Sequence, residues 1–335
     1  MTVPSTTAFD ELASALTGID GLTVERDAPA GPLCTYRVGG PITVLVTLET
    51  IDALIEAAPI LAASAMPTLT IGKGSNLLVA GSGFDGVGLV LGDGFSNIDI
   101  SGVVVTAGAA APLPLVARAS VRHGLTDFEW AVGVPGTIGG GVRMNAGGHG
   151  SDMAATLSSV DVVNLRTGLA STIPAEELGL GYRRSDIGPE HVVISATLRL
   201  RLDSGGDIDG GADTTGEAAL SEIVRWRRAN QPGGQNAGSV FTNPANDSAG
   251  RLIDAAGLKT MRVGTAEVSD VHANFIQVDP NGSPDDVMAL MREIVASVEA
   301  ASGIRLHAET RLVGFSDEAV ARVQGPNKTE TGTEN

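Results

Sequence analysis

The chain is poor in the residue types on which several kinds of site depend. It has one cysteine, Cys34, which excludes an intrachain disulfide and a thiolate metal cluster and fits a reducing compartment. Aromatic residues make up only 3% of the chain, so aromatic stacking is not a general binding strategy here. The five histidines show no metal-site spacing and lie at positions 123, 149, 191, 272 and 307. We therefore expect an aliphatic core and no bound metal.

Positive charge and long apolar runs are also scarce. Lys and Arg number 22 against 39 Asp and Glu, and the net charge of −17 repels nucleic acid and anionic lipid. The N-terminus has neither the basic start nor the apolar centre of a signal peptide. The longest uncharged apolar stretch, 103–117, contains Gly108, Pro112 and Pro114, which argues against a membrane span. The sequence predicts a cytoplasmic protein without nucleic-acid partners or membrane insertion.

The length of 335 residues and the hydrophobic content of 43% favour two or three compact units. Apolar periodicity predicts an opening helix in residues 1–20 and a β–α–β unit over 42–83. Short strands then dominate up to residue 202, which indicates a mixed α+β subdomain. Residues 218–314 read as a further α/β unit, whose long amphipathic helix over 284–303 ends at a glycine.

Glycine is abundant, and the first of two glycine-rich segments runs from Gly72 to Leu78. Glycines at alternate positions allow successive N–H groups to point at one anion, and the Ser and Asn side chains add donors. The segment is neither a P-loop nor a dinucleotide fingerprint, because the required glycine and lysine positions are missing. An ordinary turn between two strands is the alternative.

The second glycine-rich segment runs from Gly133 to Gly148. Ordering so many glycines is costly, so their presence indicates main chain laid flat against a large ligand. A mobile surface loop is the alternative, but Ile138, Val142 and Met144 indicate partial burial.

Three further positions carry candidate chemistry. Ser239 lies between a glycine and an apolar pair, yet it lacks the Gly-x-Ser-x-Gly pattern of hydrolases, and taken alone it favours a turn residue over a catalyst. Arg183 and Arg184 follow Tyr182. Both arginines are solvated cations, or one of them is a buried guanidinium that binds a carboxylate or phosphate. Glu309 shares one face of a predicted strand with His307 and Arg311, whereas the alternate residues from Leu306 to Leu312 face the other way. Taken alone, this pattern favours a polar face exposed to solvent over a catalytic one.

Taken together, eight segments occur in an order that resembles the UDP-N-acetylenolpyruvoylglucosamine reductase family of peptidoglycan precursor synthesis. They cover most of residues 33–315. The spacing of 70 residues from Ser239 to Glu309 is similar to the shorter subgroup of the family, which lacks a substrate-capping insertion. The segments are YRVGG, GKGSNLLV, GVPGTIGGGVRMNAG, GYRRSD, NAGSVFTNP, AGLK, VSDVHANFI and ETRLVGF.

The resemblance implies an α+β fold, in which an FAD-binding domain of the vanillyl-alcohol-oxidase (PCMH) type precedes an α/β substrate domain. It implies an N-terminal extension over 1–30, an FAD-binding domain over 31–202 with subdomains that meet near residue 86, and a C-terminal domain over 218–315. The acidic, glycine-rich composition of residues 203–217 predicts a linker or exposed loop, and the polar, charged composition of residues 316–335 predicts a disordered tail. The first glycine loop has no histidine, so FAD is expected to be noncovalent. The implied cofactor-binding residues are Gly72, Lys73, Gly74, Ser75, Asn76, Leu77, Gly133, Pro135, Gly136, Thr137, Gly139, Gly140, Asn145, Ala146 and Gly147.

The resemblance also implies the reaction: NADPH-dependent, FAD-mediated reduction of UDP-N-acetylglucosamine enolpyruvate. Arg183 and Glu309 match the groups that bind and polarise the substrate carboxylate, and Ser239 matches the proton donor to the α-carbon. The implied substrate-binding residues are Tyr182, Arg183, Asn243, His272 and Asn274.

The chain departs from the family pattern at Thr242, where a lysine is common. Arg225, Arg227, Arg228 or Lys259 are candidates to supply the missing positive charge. The alternatives are another flavin oxidoreductase of the same fold and a catalytically silent nucleotide-binding protein. We expect a monomer with, at most, weak association with other wall-synthesis enzymes.

Overall fold

The computed structural model describes residues 6–203 and 215–325, which form two compact units. Unit 1 comprises the chain up to residue 28, residues 43–73 and residues 85–229. Unit 2 comprises residues 29–42, residues 74–84 and the chain from residue 230 onward. Residues 204–214 and 326–335, which include most of the expected linker and half of the expected tail, lie outside the described residues.

Helices and short strands alternate along the chain. The helices are α1 (Thr6–Leu16), α2 (Ile51–Ser64), α3 (Leu113–Arg122), α4 (Ile138–Arg143), α5 (Thr215–Asn230), α6 (Ala249–Ala255), α7 (Pro284–Ser302) and α8 (Asp317–Gln324). The strands are β1 (Leu22–Pro29), β2 (Pro41–Leu48), β3 (Thr68–Ile71), β4 (Leu77–Val79), β5 (Phe84–Leu91), β6 (Ile98–Ser101), β7 (Val104–Gly108), β8 (Leu125–Thr126), β9 (Gly147–Gly148), β10 (Ser151–Asp152), β11 (Leu157–Asn164), β12 (Ala170–Pro174), β13 (His191–Arg199), β14 (Arg201–Leu202), β15 (Arg262–Val263), β16 (Ala266–Val268), β17 (Ile276–Val278) and β18 (Arg311–Val313).

The first sheet of unit 1 has the order β1-β2-β5-β3, with β3 parallel to β5. Alternate residues of β2 from Ile42 to Leu48 are buried, as the period of two predicts. The core of this layer also contains Phe9, Leu12 and Leu16 of α1. Within the expected extension, residues 6–30 are therefore not an appendage: α1 supplies core residues and β1 is a strand of the sheet. The boundary expected near residue 86 also falls inside β5.

The second sheet of unit 1 has the order β12-β11-β13-β7-β6, and each neighbouring pair is antiparallel. Its core combines aliphatic side chains with Phe128 and Trp130. Leu220 of α5 is buried in this core, and Ile223 and Val224 pack against it. This burial explains why α5 belongs to unit 1 and not, as expected, to the C-terminal domain. The helix also begins at residue 215, inside the stretch expected to be a linker.

Unit 2 contains the sheet β15-β16-β17, the parallel pair β4–β18 and helices α6 to α8. The long helix α7 ends as predicted at Gly303, which has a φ of 71°. Residues 31–42, expected in the FAD-binding domain, fall in this unit, where the Gly40 N–H donates to the carbonyl of Ala80 at 2.9 Å.

The expected disordered tail is wrong for residues 317–324, which form α8. The Ser316 hydroxyl accepts a hydrogen bond from the N–H of Ala319 at 3.3 Å and caps this helix. Val323 is fully buried, and its carbonyl accepts from the N–H of Ala308 at 2.8 Å. Side chains of and beyond the helix add further contacts, since Gln324 donates to the Thr310 carbonyl and Arg305 to the Arg322 carbonyl. The polar composition was therefore misleading. Within the described ranges no helix is long and apolar enough to cross a membrane.

Candidate functional site

The turn after Gly72 keeps main-chain donors available. Gly74 has a φ of 56°, and a Cβ atom there would overlap the carbonyl oxygen of Leu33 and lie 2.5 Å from Cα of Cys34. Only glycine fits this position. The N–H groups of Gly74, Ser75 and Asn76 have no acceptor among the described residues. Successive free N–H groups around a left-handed residue favour an anion.

The Asn76 side chain serves a different purpose from the one expected of a cofactor contact. Its amide nitrogen donates to the main-chain carbonyl of Glu309 at 3.0 Å, and the main-chain carbonyl of Asn76 accepts from the N–H of Arg311 at 2.8 Å. Leu77, also expected at the cofactor, is buried as the first residue of β4. Within unit 2 the glycine turn is thus tied directly to the segment that carries the candidate catalytic carboxylate.

The second glycine-rich segment is not flat, extended main chain. Residues 138–143 form the short helix α4. The hydroxyl of Thr137, the residue before this helix, caps it by accepting a hydrogen bond from the N–H of Gly140 at 3.3 Å. The N–H of Gly139 donates to the carbonyl of Ala109 at 2.9 Å, and an added Cβ would lie 3.0 Å from the Ala109 side chain. The glycine therefore allows α4 to approach the end of β7. A Cβ on Gly72 would meet the Thr137 hydroxyl at 2.7 Å, so the two glycine-rich segments also contact each other in unit 1.

Asn145 is buried and its amide joins three separate segments of unit 1. The amide nitrogen donates to the carbonyl of Gly181 at 3.0 Å and to Asp152 Oδ2 at 3.1 Å. The amide oxygen accepts from the N–H of Ala154 at 2.9 Å. Asn145 also has a φ of 39°, a region that asparagine tolerates. Its side chain thus positions the chain around the site, which the sequence alone did not reveal.

Replacing Asn145 with alanine should lower the free energy of unfolding by about 2–4 kcal/mol, because the Gly181 carbonyl and the Ala154 N–H lose a buried partner. Urea denaturation monitored by circular dichroism measures this loss. Asn97→Ala is the matched control, since the Asn97 side chain has no hydrogen-bond partner among the described residues, and it should change stability by less than about 0.5 kcal/mol. Equal stability of the two variants would contradict the assignment.

Arg183 lies in a tight turn of unit 1. Gly181 and Arg184 exchange two main-chain hydrogen bonds of 3.0 Å, and Arg183 has a left-handed φ of 55°. Its guanidinium lies 5.5 Å from the ring centroid of Tyr182, and Nη1 donates to the carbonyl of Gly147 at 3.3 Å. Tyr182 itself is 63% exposed. The turn therefore presents a cation and an aromatic ring together, beside the end of the second glycine-rich segment.

Ser239 and Glu309 come from adjacent strands of main chain in unit 2. Ser239 pairs with Phe275 in an isolated antiparallel bridge. The next residue, Val240, accepts from the N–H of Glu309 at 2.9 Å. The Ser239 hydroxyl has no hydrogen-bond partner in the described part of the chain. From residue 306 to 312 buried residues alternate with more exposed ones, which confirms the predicted alternation and leaves Glu309 on the more exposed face.

Of the predicted substrate contacts in unit 2, Asn274 supports the Ser239 strand through both groups of its buried side chain. The amide oxygen accepts from the N–H of Phe241 at 2.9 Å, and the amide nitrogen donates to the Phe241 carbonyl at 2.8 Å. Asn243 is exposed, and its side-chain oxygen accepts from the N–H of Ala249 at 3.0 Å. His272 is half-buried against the ring of Phe275, with a centroid separation of 4.8 Å.

Burial lowers the pKa of His272 from its usual 6.5, and the positive charge of Lys259 lowers it further. As pH falls below about 6.5, the unfolded chain therefore takes up the proton before the folded chain does. We expect the free energy of unfolding to fall more steeply between about pH 7 and pH 5 in the wild type than in His272→Gln. Denaturation curves at the two pH values measure this, and parallel pH profiles would contradict it.

The described residues fit a flavin dinucleotide on two observations. The free N–H groups at Gly74, Ser75 and Asn76 suit a pyrophosphate. The hydroxyl groups of Thr35 and Tyr36, in the segment that hydrogen-bonds Gly74, are buried and have no hydrogen-bond partner within residues 6–203 and 215–325. Within residues 6–203 and 215–325, no group of three or more His, Cys, Asp or Glu side chains is placed to hold a metal ion.

Two family models match the chain. The FAD binding domain matches residues 42–173, and the C-terminal domain of UDP-N-acetylenolpyruvoylglucosamine reductase matches residues 230–313. The second match begins where unit 2 resumes at residue 230. The expected α+β fold with an FAD-binding domain is therefore confirmed.

Curated relatives resemble the chain over most of its length. A UDP-N-acetylenolpyruvoylglucosamine reductase from Paramagnetospirillum magneticum is 38% identical over 294 residues, 88% of this chain and 92% of that protein. A reductase of the same name from Rubrobacter xylanophilus is 35% identical and covers 86% of this chain and 94% of its own length. The crystal structure of the Thermus caldophilus enzyme, MurB, has a TM-score of 0.73 at 34% identity and covers 87% of this chain and 99% of that one.

Proposed function

Because the chain belongs to the UDP-N-acetylenolpyruvoylglucosamine reductase family, we propose that it reduces UDP-N-acetylglucosamine enolpyruvate to UDP-N-acetylmuramate with electrons from NADPH. This reaction is a step of peptidoglycan precursor synthesis, on which cell-wall biogenesis, cell shape and cell division depend. The observation that carries the proposal is that the sequence contains Arg183, Ser239 and Glu309 and covers 92% of the length of a reductase relative. A catalytically silent relative has no reason to keep all three.

Noncovalently bound FAD supplies the chemistry of hydride acceptance from NADPH and hydride donation to the enolpyruvyl double bond. The N–H groups of Gly74, Ser75 and Asn76 would hold its pyrophosphate. The contact between Gly72 and Thr137 supports placing the second glycine-rich segment at the same cofactor.

Arg183 and Glu309 act on the substrate carboxylate. Hydride addition to the β-carbon shifts negative charge toward the α-carbon and the carboxylate, so a guanidinium beside the carboxylate stabilises the transition state more than the ground state. Arg183 is half-buried and its backbone is fixed in a left-handed turn, which limits the reorganisation needed during reaction. Glu309 polarises the same carboxylate, and its main chain is fixed through Val240 and Asn76.

Ser239 donates the proton that the α-carbon requires. A neutral serine is a weak acid, so this role needs a strongly basic carbanion and the exclusion of water. The hydroxyl has no partner in the described part of the chain, so its proton is not committed elsewhere. The two hydrogen bonds from Asn274 to Phe241 hold the strand that presents Ser239, so Asn274 contributes to the site as a positioning residue.

Tyr182, Asn243 and His272 are the remaining substrate contacts of the proposal.

A cation must replace the lysine that is absent at Thr242. Lys259 already pairs with Asp254 at 3.0 Å, whereas burial lowers the pKa of Arg227, which has no partner in the described part of the chain. The protein is proposed to work in the cytoplasm as a monomer, with no more than weak association with other wall-synthesis enzymes.

An NADPH-oxidation assay with the enolpyruvyl sugar nucleotide tests the function. The purified protein should be yellow, and NADPH should bleach its visible flavin absorbance in the absence of substrate. Adding the enolpyruvyl compound should restore the colour and produce UDP-N-acetylmuramate, detected by mass spectrometry. Colourless folded protein that takes up no FAD would contradict the proposal, and yellow protein active only on another alcohol or sugar would favour a different flavin oxidoreductase.

A further inference from the structure

A short hairpin lies between the catalytic Arg183 turn and helix α5 in unit 1. It consists of β9 and β10, with Gly148 paired to Ser151 and Gly147 paired to Asp152. The two connecting residues, His149 and Gly150, have φ values of 51° and 85°. Positive φ at both positions is what a type I′ turn requires, and Asn, Asp or Gly normally occupy the first of them. Turn geometry alone therefore does not explain a histidine here.

The tip of this hairpin contacts α5 through two aromatic rings. The rings of His149 and Trp226 have centroids 5.0 Å apart and planes at 85°, an edge-to-face arrangement. In a chain with two tryptophans, one of them is thus placed against the turn. A Cβ atom on Gly133 would lie 3.3 Å from Cδ of Arg227 and 3.5 Å from Cδ2 of His149, so α5, the hairpin tip and Gly133 are closely packed.

The base of the same hairpin contacts the Arg183 turn. The carbonyl of Gly147 accepts a hydrogen bond from Nη1 of Arg183 at 3.3 Å. Asp152, opposite Gly147, accepts from Asn145, which also donates to the carbonyl of Gly181. The turn fixes the backbone of Arg183, and the Gly147 carbonyl is one of the groups that direct its long side chain.

We propose that His149 and Trp226 are positioning residues for Arg183: their ring contact fixes the hairpin tip, and the hairpin base directs the guanidinium through the Gly147 carbonyl. The inference rests on the proposed function, because Arg183 matters only when an enolpyruvyl carboxylate is present. A hairpin of two paired residues on each side has few hydrogen bonds of its own, so an external contact at its tip adds to the order that Asn145 gives its base through Asp152.

The test uses the FAD-loaded full-length enzyme with His149→Ala and Trp226→Ala. Both should lower kcat for the enolpyruvyl substrate by about 10- to 100-fold, since a displaced guanidinium no longer meets the developing charge. FAD content and the rate of flavin bleaching by NADPH should stay within about twofold of the wild type, because Arg183 has no part in that half-reaction. The conservative variants His149→Tyr and Trp226→Phe keep a ring edge at the contact and should restore most of the rate.

Two further arms separate positioning from a general packing effect. Leu169→Ala removes an exposed large apolar side chain of unit 1 elsewhere and should leave kcat unchanged. In an Arg183→Lys background, His149→Ala should lower kcat by less than about a further twofold, because the residue that His149 positions is already impaired. An additive loss in that background would overturn the inference, as would equal slowing of both half-reactions or an unchanged kcat in both alanine variants.

The wild-type arm keeps this inference distinct from the proposed function. If the wild-type enzyme does not reduce the enolpyruvyl compound, the proposed function fails. If the wild type is active and the alanine variants are equally active, only the positioning role of His149 and Trp226 fails. His149 is exposed at a turn, so its alanine variant is expected to fold even if Trp226→Ala does not.

Discussion

Replacing Ser239 with alanine is expected to lower kcat for the enolpyruvyl sugar nucleotide about a thousandfold, the range typical of a lost general acid. Bleaching of the flavin by NADPH should continue at the wild-type rate, because no proton from Ser239 enters that step. Stopped-flow absorbance measures the two half-reactions separately on the same preparation.

Ser82→Ala is the matched control for this experiment. Ser82 belongs to the same unit and is exposed, and its hydroxyl donates to the Gly314 carbonyl at 3.4 Å. Its loss should leave both half-reactions within about twofold of the wild type. If Ser239→Ala slows flavin bleaching as much as it slows substrate reduction, the hydroxyl is supporting the cofactor site and is not the proton donor.

Replacing Glu309 with glutamine should lower kcat by about 10²- to 10³-fold and change KM much less. The substitution keeps the size of the side chain and removes its ionisable oxygen, so any effect arises from polarisation of the substrate carboxylate in the transition state. The main-chain hydrogen bonds from Glu309 to Val240 and from Asn76 to Glu309 do not involve the side chain and should survive. Steady-state kinetics with a varied concentration of the enolpyruvyl compound separates the two constants.

Glu293→Gln provides the comparison for the charge change alone. Glu293 is exposed on α7 and also belongs to unit 2, so the two variants have the same net charge. It should behave as the wild type. A Glu309→Gln enzyme that turns over at the wild-type rate would remove Glu309 from the mechanism. A variant with raised KM but unchanged kcat would show that Glu309 binds the substrate and the transition state equally.

The spacing of apolar residues and the order of the family segments were sufficient to predict much of the fold. The alternation from Leu306 to Leu312 predicted which residues are buried, and the structure agrees even though only residues 311–313 form a regular strand. The helix over 284–302 and its glycine cap were equally readable, since each depends on local spacing and local backbone geometry. The ordered family segments predicted the FAD-binding domain and the C-terminal domain.

Features that depend on distant partners were not readable. The glycines of α4 have low helix propensity, but Ile138 and Val142, four residues apart, are both fully buried in the second core of unit 1, and this packing outweighs propensity. The apolar face of α5 gave no indication of which core would receive it. Asn145 and Asn274 looked like ligand contacts, yet their amides bond to main-chain groups up to 36 residues away. Polar composition likewise concealed α8.

Each unit is built from separate segments that alternate along the chain, and this order has a consequence for biosynthesis. Leu77 pairs with Arg311, and the Asn76 amide donates to the carbonyl of Glu309, a residue 233 positions further along the chain. A ribosome therefore releases nearly the whole polypeptide before the partner strand of Leu77 exists. Unit 1 ends at residue 229 and can begin folding earlier, whereas the strand β4 must wait, unpaired, for the last hundred residues. Such delayed closure is slow and exposes an apolar edge to other chains, so yield in a recombinant host should depend on translation rate and chaperone supply.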